Sequence, residues 1–585
     1  MFHYLRRMAT TMTELTSRVA ITIGKTPLGC YSTRFLPGGP RMSFLWLRRR
    51  CSELLLNFPG IGNALQHSKM LLLILVVWNC GASFLLATDY FLTLGGGYDR
   101  SGNQASLEAN VLFFQQLLVD KHRGRRRHEI FFADGDDPAA DLQTLREKPA
   151  QSATPATDLL AALHRRRGGD QVGYRDHRVA GTTGSLNPSL IRAAFADLAR
   201  QARLGDRVII YVTAHGNVGP KDDPFNTTID CWNGRKITAR EFTDWLSQVP
   251  SEVHVIMVMA QCYCGGFGRA IFEGLDVKRG LAPQLRVGFF AQQHNLPAAG
   301  CRPDIEHDEE FSSYFWGALA GRSRNGLPIV GCDVDENGAI SFAEAYAYAV
   351  TAGETIDIPL RTSEVLLRTY SRLPAVRVSD TASNSEPESG ELENSERATD
   401  FQPILATMCG RLETFVEHGS PVSRRIVTQL ATSLGFSLQD DVTAITKALE
   451  TSRRAHRSPG SGRPRQGSGR RELLQEVTEK WPELADERKW PESALLKSEN
   501  QEQMLAELRQ LPSWKTYDER RRQLEVANAE SDQREIRLVK FRKLTNALEV
   551  IALERNLHLV ATAEIVERYR QLLALEDSTL SNSEN

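Results

Sequence analysis

Two of the most apolar runs in the chain end in residues that can do chemistry together. RVIIYVTA runs into His215 and Gly216, and VHVIMVMA runs into Gln261, Cys262, Tyr263, Cys264, Gly265, Gly266 and Phe267. If both runs are parallel strands of one sheet, their carboxyl ends share the edge where such sheets bind ligands, and His215 faces Cys262 across a cleft. A thiol becomes a strong nucleophile when a base draws it toward the thiolate, and the same imidazole can then protonate a departing amine. Gly216 permits close backbone approach, and its N–H with that of Cys262 supplies an oxyanion hole. A lone His-Gly or a lone buried cysteine is usually structural; the joint pattern carries the reading. Cys262 and Cys264 with His215, Cys231 or Cys301 are an alternative zinc set, although C-x-C lacks the usual gap between ligands. A disulfide is a further alternative for exported cysteines.

A second motif stands apart from the first. Asp333 to Glu344 reads DVDENGAISFAE, which matches the calcium loop D-x-[DN]-x-[DN]-G with its closing glutamate. Asp333, Asp335, Asn337, Ser341 and Glu344 would offer side-chain oxygens, Ala339 its carbonyl, and Gly338 the tight turn. A helix is expected from Phe342, but the preceding GLPIVGC is not helical in pattern, so the motif reads as half of an EF-hand. Its bland alternative is an acidic surface turn. Calcium held there would brace the sheet edge near the cleft or gate activation.

The elements that must position these residues emerge from patterning. The chain has 585 residues, 41% hydrophobic and 24% charged, with a net charge of −1, so no overall pull toward nucleic acid or acidic lipid exists. The nine cysteines are scattered, without the density of a disulfide scaffold. Short apolar runs alternate with amphipathic stretches between Asp89 and Leu373. The strand candidates are DYFLTLGG, HEIFFAD, RVIIYVTA, VHVIMVMA and RVGFFAQ, and Asn187 to Leu204 reads as a helix turning at Gly205. The fold class is α/β, a mostly parallel sheet flanked by helices, followed by a helical C-terminal region.

Around that domain, 89–375, the chain divides by composition. Residues 1–69 form an extension of no legible role. Residues 70–88 contain eighteen uncharged residues behind an arginine-rich flank with Arg48, Arg49 and Arg50, and read as a signal peptide or signal anchor that exports the residues after Thr88. A buried apolar helix is the alternative. Residues 376–400 are an acidic linker without aromatics, 401–451 are helical, and 452–471 are a basic linker with seven arginines and no acid. That basic stretch lacks interleaved aromatics, so no specific nucleic-acid binding is expected. Residues 472–585 are helical or coiled-coil-like, with a long hairpin or coiled-coil-like pair expected from about Asn500 to Leu575.

VIIYVTAHG and VIMVMAQCYCGGF resemble the caspase-like clan of cysteine peptidases, which includes caspases, metacaspases and legumain-type endopeptidases. In that clan a histidine followed by glycine and a cysteine closing the next strand form the dyad, which would place His215 and Cys262 in those roles. The layout from DYFLTLGGGYDRSGNQASLEANVLFFQQLL through HEIFFADGDD to the His-Gly strand is most similar to the legumain-type branch. The chain departs at Ala260, where metacaspases carry an aspartate tied to basic substrates, and at Cys264, which replaces a serine. The caspase order Gln-Ala-Cys is also not kept, so no preferred cleavage residue is implied. Asp222, Asp223, Asp230 and Glu309 lie on segments that reach toward the cleft, and no acidic specificity pocket is assigned to them.

The resemblance implies a cysteine endopeptidase that hydrolyses protein or peptide substrates through a thioester acyl-enzyme; the acidic loop adds calcium as an expected support, and no organic cofactor is expected. The alternative is an inactive caspase-like scaffold acting through its helical C-terminal region, where self-association is expected. A third reading is a calcium-dependent structural protein of the cell envelope. Export would place the protein in the periplasm, outside the cell, or on the membrane through residues 70–88.

Overall fold

A computed structural model describes residues 87–145, 155–164, 172–300, 310–374, 404–457, 469–497 and 499–580. The N-terminal extension 1–69, nearly all of the 70–88 segment, the acidic linker 376–400, Cys301 and Glu309 lie outside the described residues. Among those described, no helix is long and apolar enough to cross a membrane.

The five apolar runs are the five parallel strands of one sheet: β1 (Thr88–Gly96), β2 (Arg125–Phe132), β5 (Arg207–Ala214), β8 (His254–Met259) and β9 (Arg286–Phe290). The order across the sheet is β10-β9-β8-β5-β1-β2, with β10 (Leu360–Arg361) the antiparallel edge. Every residue of the central β5 is buried, as expected of a strand covered on both faces. Strand β2 begins earlier than its apolar run, because Arg125 to Arg127 pair with Thr88 to Tyr90. Three short elements had no apolar run to mark them: β10 and two small ladders, β3 (Leu142–Leu145) with β4 (Val172–Arg175), and β6 (Thr228–Cys231) with β7 (Arg235–Thr238).

Helices fill the crossovers. Helix α1 (Ala105–Lys121) joins β1 to β2, α2 (Pro155–Leu163) precedes β4, and α3 (Pro188–Gln201) leads to β5. The side chain of Asn187 caps α3 by accepting from the Ser189 N–H, and Gly205, at φ +94, makes the turn into the strand. Beyond β7 come α4 (Ala239–Leu246), then α5 (Phe311–Ala320), α6 (Phe342–Ala352) and α7 (Thr362–Tyr370).

The C-terminal region is helical: α8 (Leu412–His418), α9 (Pro421–Leu434), α10 (Val442–Arg457), α11 (Arg470–Lys480), α12 (Gln501–Leu508), α13 (Trp514–Val560) and α14 (Ala563–Glu576). The expected hairpin is instead one 47-residue helix followed by a 14-residue one. No glycine or proline interrupts Trp514 to Val560, and the break comes only at Ala561, where Thr562 caps the next helix. The basic stretch is helical at both ends, through Arg457 and again from Arg470.

This region shares the core of the sheet domain. Phe541, Leu544, Leu548 and Ile551 of α13 belong to one hydrophobic cluster with β5, β8 and β9. A smaller cluster gathers α2, α11 and α12 around Tyr517 near the start of α13. The chain end is stitched to the sheet by polar bonds. Arg207 of β5 donates to Asp89 of β1 at 2.8 and 2.7 Å and to the carbonyls of Thr579 and Leu580 at 2.9 and 3.1 Å.

Candidate active site

Val212 of β5 and Met259 of β8 are register partners in adjacent parallel strands, and His215 and Cys262 each lie three residues beyond that pair. The two chain ends touch at Gly216. A Cβ added there would sit 2.4 Å from the Cys262 carbonyl oxygen and 2.7 Å from that of Thr228. These are backbone atoms, so only glycine fits without moving a turn. Gly216→Ala is expected to cost about 1–3 kcal/mol of stability by overpacking, read from chemical denaturation.

Cys262 ends its strand in a sharp turn. Tyr263, at φ +61, is one of the few described residues other than glycine in the left-handed region, and the 3-10 helix Cys264–Ile271 follows at once. Such strain collects where the chain must aim a side chain. Among the described residues, no backbone carbonyl accepts from Gly216 N–H or Cys262 N–H. Amides free of backbone acceptors are what an oxyanion hole requires, although the Cys262 N–H also bears on its own sulfur.

The loop after β1 holds the imidazole. His215 Nε2 lies 2.8 Å from the carbonyl oxygen of Gly102 and 3.0 Å from Gln104 Oε1. A carbonyl only accepts, so Nε2 carries the hydrogen and Nδ1 is left with the lone pair. Tyr98 packs edge-on against the ring at 5.1 Å. The loop is braced by Asn103, whose Oδ1 accepts from Gly97 N–H at 3.0 Å and whose Nδ2 donates to Asp141 at 2.9 Å. Gly102 and Gln104 are functional positions that sequence reasoning missed, because nothing in GGGYDRSGNQ marks a carbonyl as an imidazole partner. Burial pulls the imidazole below its ordinary range, against the Gly102 bond and the charges of Asp230 and Asp99.

The thiol lies under the loop that follows β9. Ala298 N–H points at Cys262 Sγ at 3.3 Å, and the Ala298 carbonyl is 3.7 Å from the same sulfur. Burial pushes the thiol up, partly offset by the Ala298 amide. No direct Sγ to imidazole bond is present among these contacts. Beside His215 opens a cleft of about 360 Å³, lined by Tyr98, Gly216, Asn217, Asp230, Arg235 and Lys236.

The other acids on these segments have their own partners. Asp230 receives Thr228 Oγ1 at 2.9 Å and the Asn217 amide, and its N–H donates to the His215 carbonyl at 2.9 Å. Asp223 is paired with Arg240 at 2.7 Å, and Asp222 is exposed. Among the described residues, the alternative zinc set is not assembled. Cys264 is buried with its sulfur on the Gln292 backbone, Cys231 is buried with its sulfur toward Ile229, and the described cysteines are free of disulfides.

The acidic loop brings together three of its six candidate ligands. Carboxylate oxygens of Asp333, Asp335 and Glu344 lie within 4.8 Å of one another. Asp333 accepts from the N–H groups of Asn337 and Gly338 at 3.1 and 2.9 Å, with Gly338 at φ +87. Ser341 caps α6 by accepting from Glu344 N–H at 3.2 Å, while Glu344 accepts from Ser341 N–H at 2.9 Å. Asn337 Oδ1 accepts from Ala339 N–H at 2.9 Å. Three carboxylates thus converge, while the side-chain oxygens of Asn337 and Ser341 are engaged within the loop. Helix α6 leaves the loop directly, whereas the helix before it in the chain, α5, ends at Ala320.

No family model matches the chain. No curated protein matches it either. Among solved structures, it is similar to protein GSU0716 from Geobacter sulfurreducens, at 12% identity over 47% of this chain and 92% of that one, with a TM-score of 0.26. A likeness so faint carries no argument about chemistry.

Proposed function

We propose that this chain is a cysteine endopeptidase in which Cys262 is the nucleophile and His215 its acid/base partner. The observation that carries the reading is the seating of the His215–Gly216 turn on the Cys262 carbonyl, at the shared carboxyl edge of neighbouring strands, with no described backbone carbonyl accepting from the Gly216 or Cys262 amide. The caspase-like resemblance of the same two segments supports it. With a peptide bound at this strand edge beside the cleft, which Cys262 does not itself line, the carbonyl carbon meets Sγ as the thiol proton passes to His215 Nδ1. The S–C bond forms, and the oxygen takes up negative charge against the Gly216 and Cys262 amides. The C–N bond then breaks, the amine leaves with the proton from Nδ1, and a thioester remains. Water, deprotonated by the same nitrogen, attacks the thioester and releases the acid, returning the thiol. Gly102 and Gln104 hold Nε2–H throughout, so the imidazole keeps one orientation for both halves.

The test is incubation of the full chain with a mixed peptide library, with and without calcium, and mass analysis of products. Cleavage at defined bonds supports the reading; a folded chain that cuts nothing in either condition favours the inactive scaffold. One observation favours that second reading, since Sγ rests against Ala298 and not against the imidazole.

The direction of the His215 shift sets the pH dependence. A protonated imidazole cannot accept the thiol proton, so the rate falls as pH drops through its pKa. Because burial lowers that pKa, activity should persist below the ordinary histidine value of about 6.5 and fail only at lower pH. A profile of kcat/KM whose acid limb is centred above that value contradicts this assignment.

Calcium at Asp333, Asp335 and Glu344 is the accompanying proposal. At a calcium concentration one hundredfold above Kd, the gain in stability should be about 2.7 kcal/mol. Asp335→Asn removes one carboxylate while leaving the Ser341–Glu344 cap intact, and should weaken calcium binding about tenfold or more in titration calorimetry.

A further inference from the structure

The segment over the thiol is tied, through one buried carboxylate, to the long C-terminal helix. Leu296 accepts from Tyr263 N–H at 3.1 Å, Gln292 Nε2 donates to the Pro297 carbonyl at 3.0 Å, and Ala299 N–H donates to Asp357 Oδ1 at 2.8 Å. Between these anchors Ala298 presents its N–H to Cys262 Sγ at 3.3 Å. An N–H aimed at sulfur favours the thiolate, as any donor to the charged form does. The two carboxylates that act on the thiol, those of Asp357 and Asp230, oppose it.

Asp357 is 1% exposed, and its second oxygen accepts from Thr355 Oγ1 at 2.9 Å. The cation that offsets its charge is Lys543 of α13, itself 3% exposed, whose ammonium donates to the Gly353 carbonyl at 2.9 Å. Lys540, one turn away, is paired with Glu354 at 2.8 Å. Burial raises Asp357 and lowers Lys543, which comes down to about 8 with Lys540 adding to the fall, while the charge of each central group opposes the shift of the other.

We propose that Asp357 is a positioning residue for Cys262, holding the Ala298 amide against the thiol, and that Lys543, by its bond to the Gly353 carbonyl, ties the C-terminal helix to the segment that carries Asp357. Cys262 is the reactive thiol here as in the proposed function, on which this rests for its meaning in catalysis. Alkylation reads that thiol without any peptide being cut.

The experiment measures the rate of Cys262 alkylation by iodoacetamide against pH in the full chain, with adducts located by mass spectrometry. Amide exchange of Ala298 and Ala299 is followed in parallel. Asp357→Asn removes the charge but keeps an acceptor for Ala299, whereas Asp357→Ala removes both. Positioning predicts that Asp357→Ala labels about three- to tenfold more slowly near neutral pH, with the alkaline limb moved up by about half to one pH unit. It also predicts that Asp357→Asn labels as fast as the parent or faster. Lys543→Met, on a distant helix, should speed exchange at Ala299 as Asp357→Ala does.

Faster labelling in both Asp357 variants would mean the carboxylate acts only by its charge, and would overturn the proposal. Unchanged exchange at Ala298 and Ala299 in Asp357→Ala would do the same, even if the parent thiol proves unreactive. A shifted alkylation profile in a chain that cleaves no peptide would instead sink the peptidase reading and leave this one standing.

Discussion

Cys262→Ala is expected to lower kcat/KM for peptide cleavage by about 10⁴-fold or more while leaving the fold intact. In the proposed reaction Cys262 supplies the covalent step, and the other described cysteine of this turn cannot replace it: Cys264 is fully buried against Gln292, with burial pushing its thiol far up. A residual rate above that in water should remain, because the Gly216 and Cys262 amides are backbone groups that the substitution spares. His215→Ala should cost about as much as Cys262→Ala, and the double variant little more, since members of such a unit are not additive. The stability change should stay small, because Sγ contacts only the Ala298 backbone among its hydrogen-bond partners. Progress curves on a peptide found in the library assay check the rates, and circular dichroism checks the fold. Retention of more than about one hundredth of the parent rate in Cys262→Ala would remove Cys262 from the nucleophile role.

Glu576→Ala should produce the largest loss of stability, about 3–5 kcal/mol, in a chain of which an ordinary domain has only about 5–15 kcal/mol to lose. Glu576 is wholly buried near the chain end. Its carboxylate takes Arg361 at 3.0 Å, Ser363 Oγ at 2.8 Å and Ser363 N–H at 3.0 Å. Truncation leaves the buried Arg361 guanidinium with only Glu364, at 3.5 Å, as a carboxylate partner. Exposed pairs of the same type, such as Arg534 with Glu530, should be worth no more than about 0.5 kcal/mol. Urea unfolding followed by tryptophan fluorescence checks the difference. If the C-terminal helices were an appendage, Glu576→Ala would leave the sheet transition where it was. The shared core predicts one cooperative transition moved to lower denaturant.

Much of the sheet was legible in the residues. RVIIYVTA and VHVIMVMA read as buried parallel strands because continuous apolar runs are how a strand covered on both faces is written. His215 and Cys262 stood out because polar residues closing such runs fall on the ligand-binding edge. The acidic loop was legible too, since calcium-loop geometry is local and is set by its own spacing. The β6–β7 ladder was not, because four-residue strands carry too little periodicity to register.

What escaped the sequence has a common cause. Gly102 and Gln104 reach His215 across more than a hundred residues, as Asp357 and Lys543 reach the loop over Cys262 from distant parts of the chain. Each of these contacts is a single polar bond or charge, and no local pattern encodes its partner. For the C-terminal half, amphipathic spacing announced helices with one apolar face but could not say what that face would meet. The sequence by itself determined the strands, the placement of His215 and Cys262 at their ends and the acidic loop, because those depend on periodicity and on neighbours in the chain. Only the tertiary structure decided that the long helix shares the sheet's core, which imidazole nitrogen is held and which amide meets the thiol, because burial is settled by surfaces that come together from distant parts of the chain.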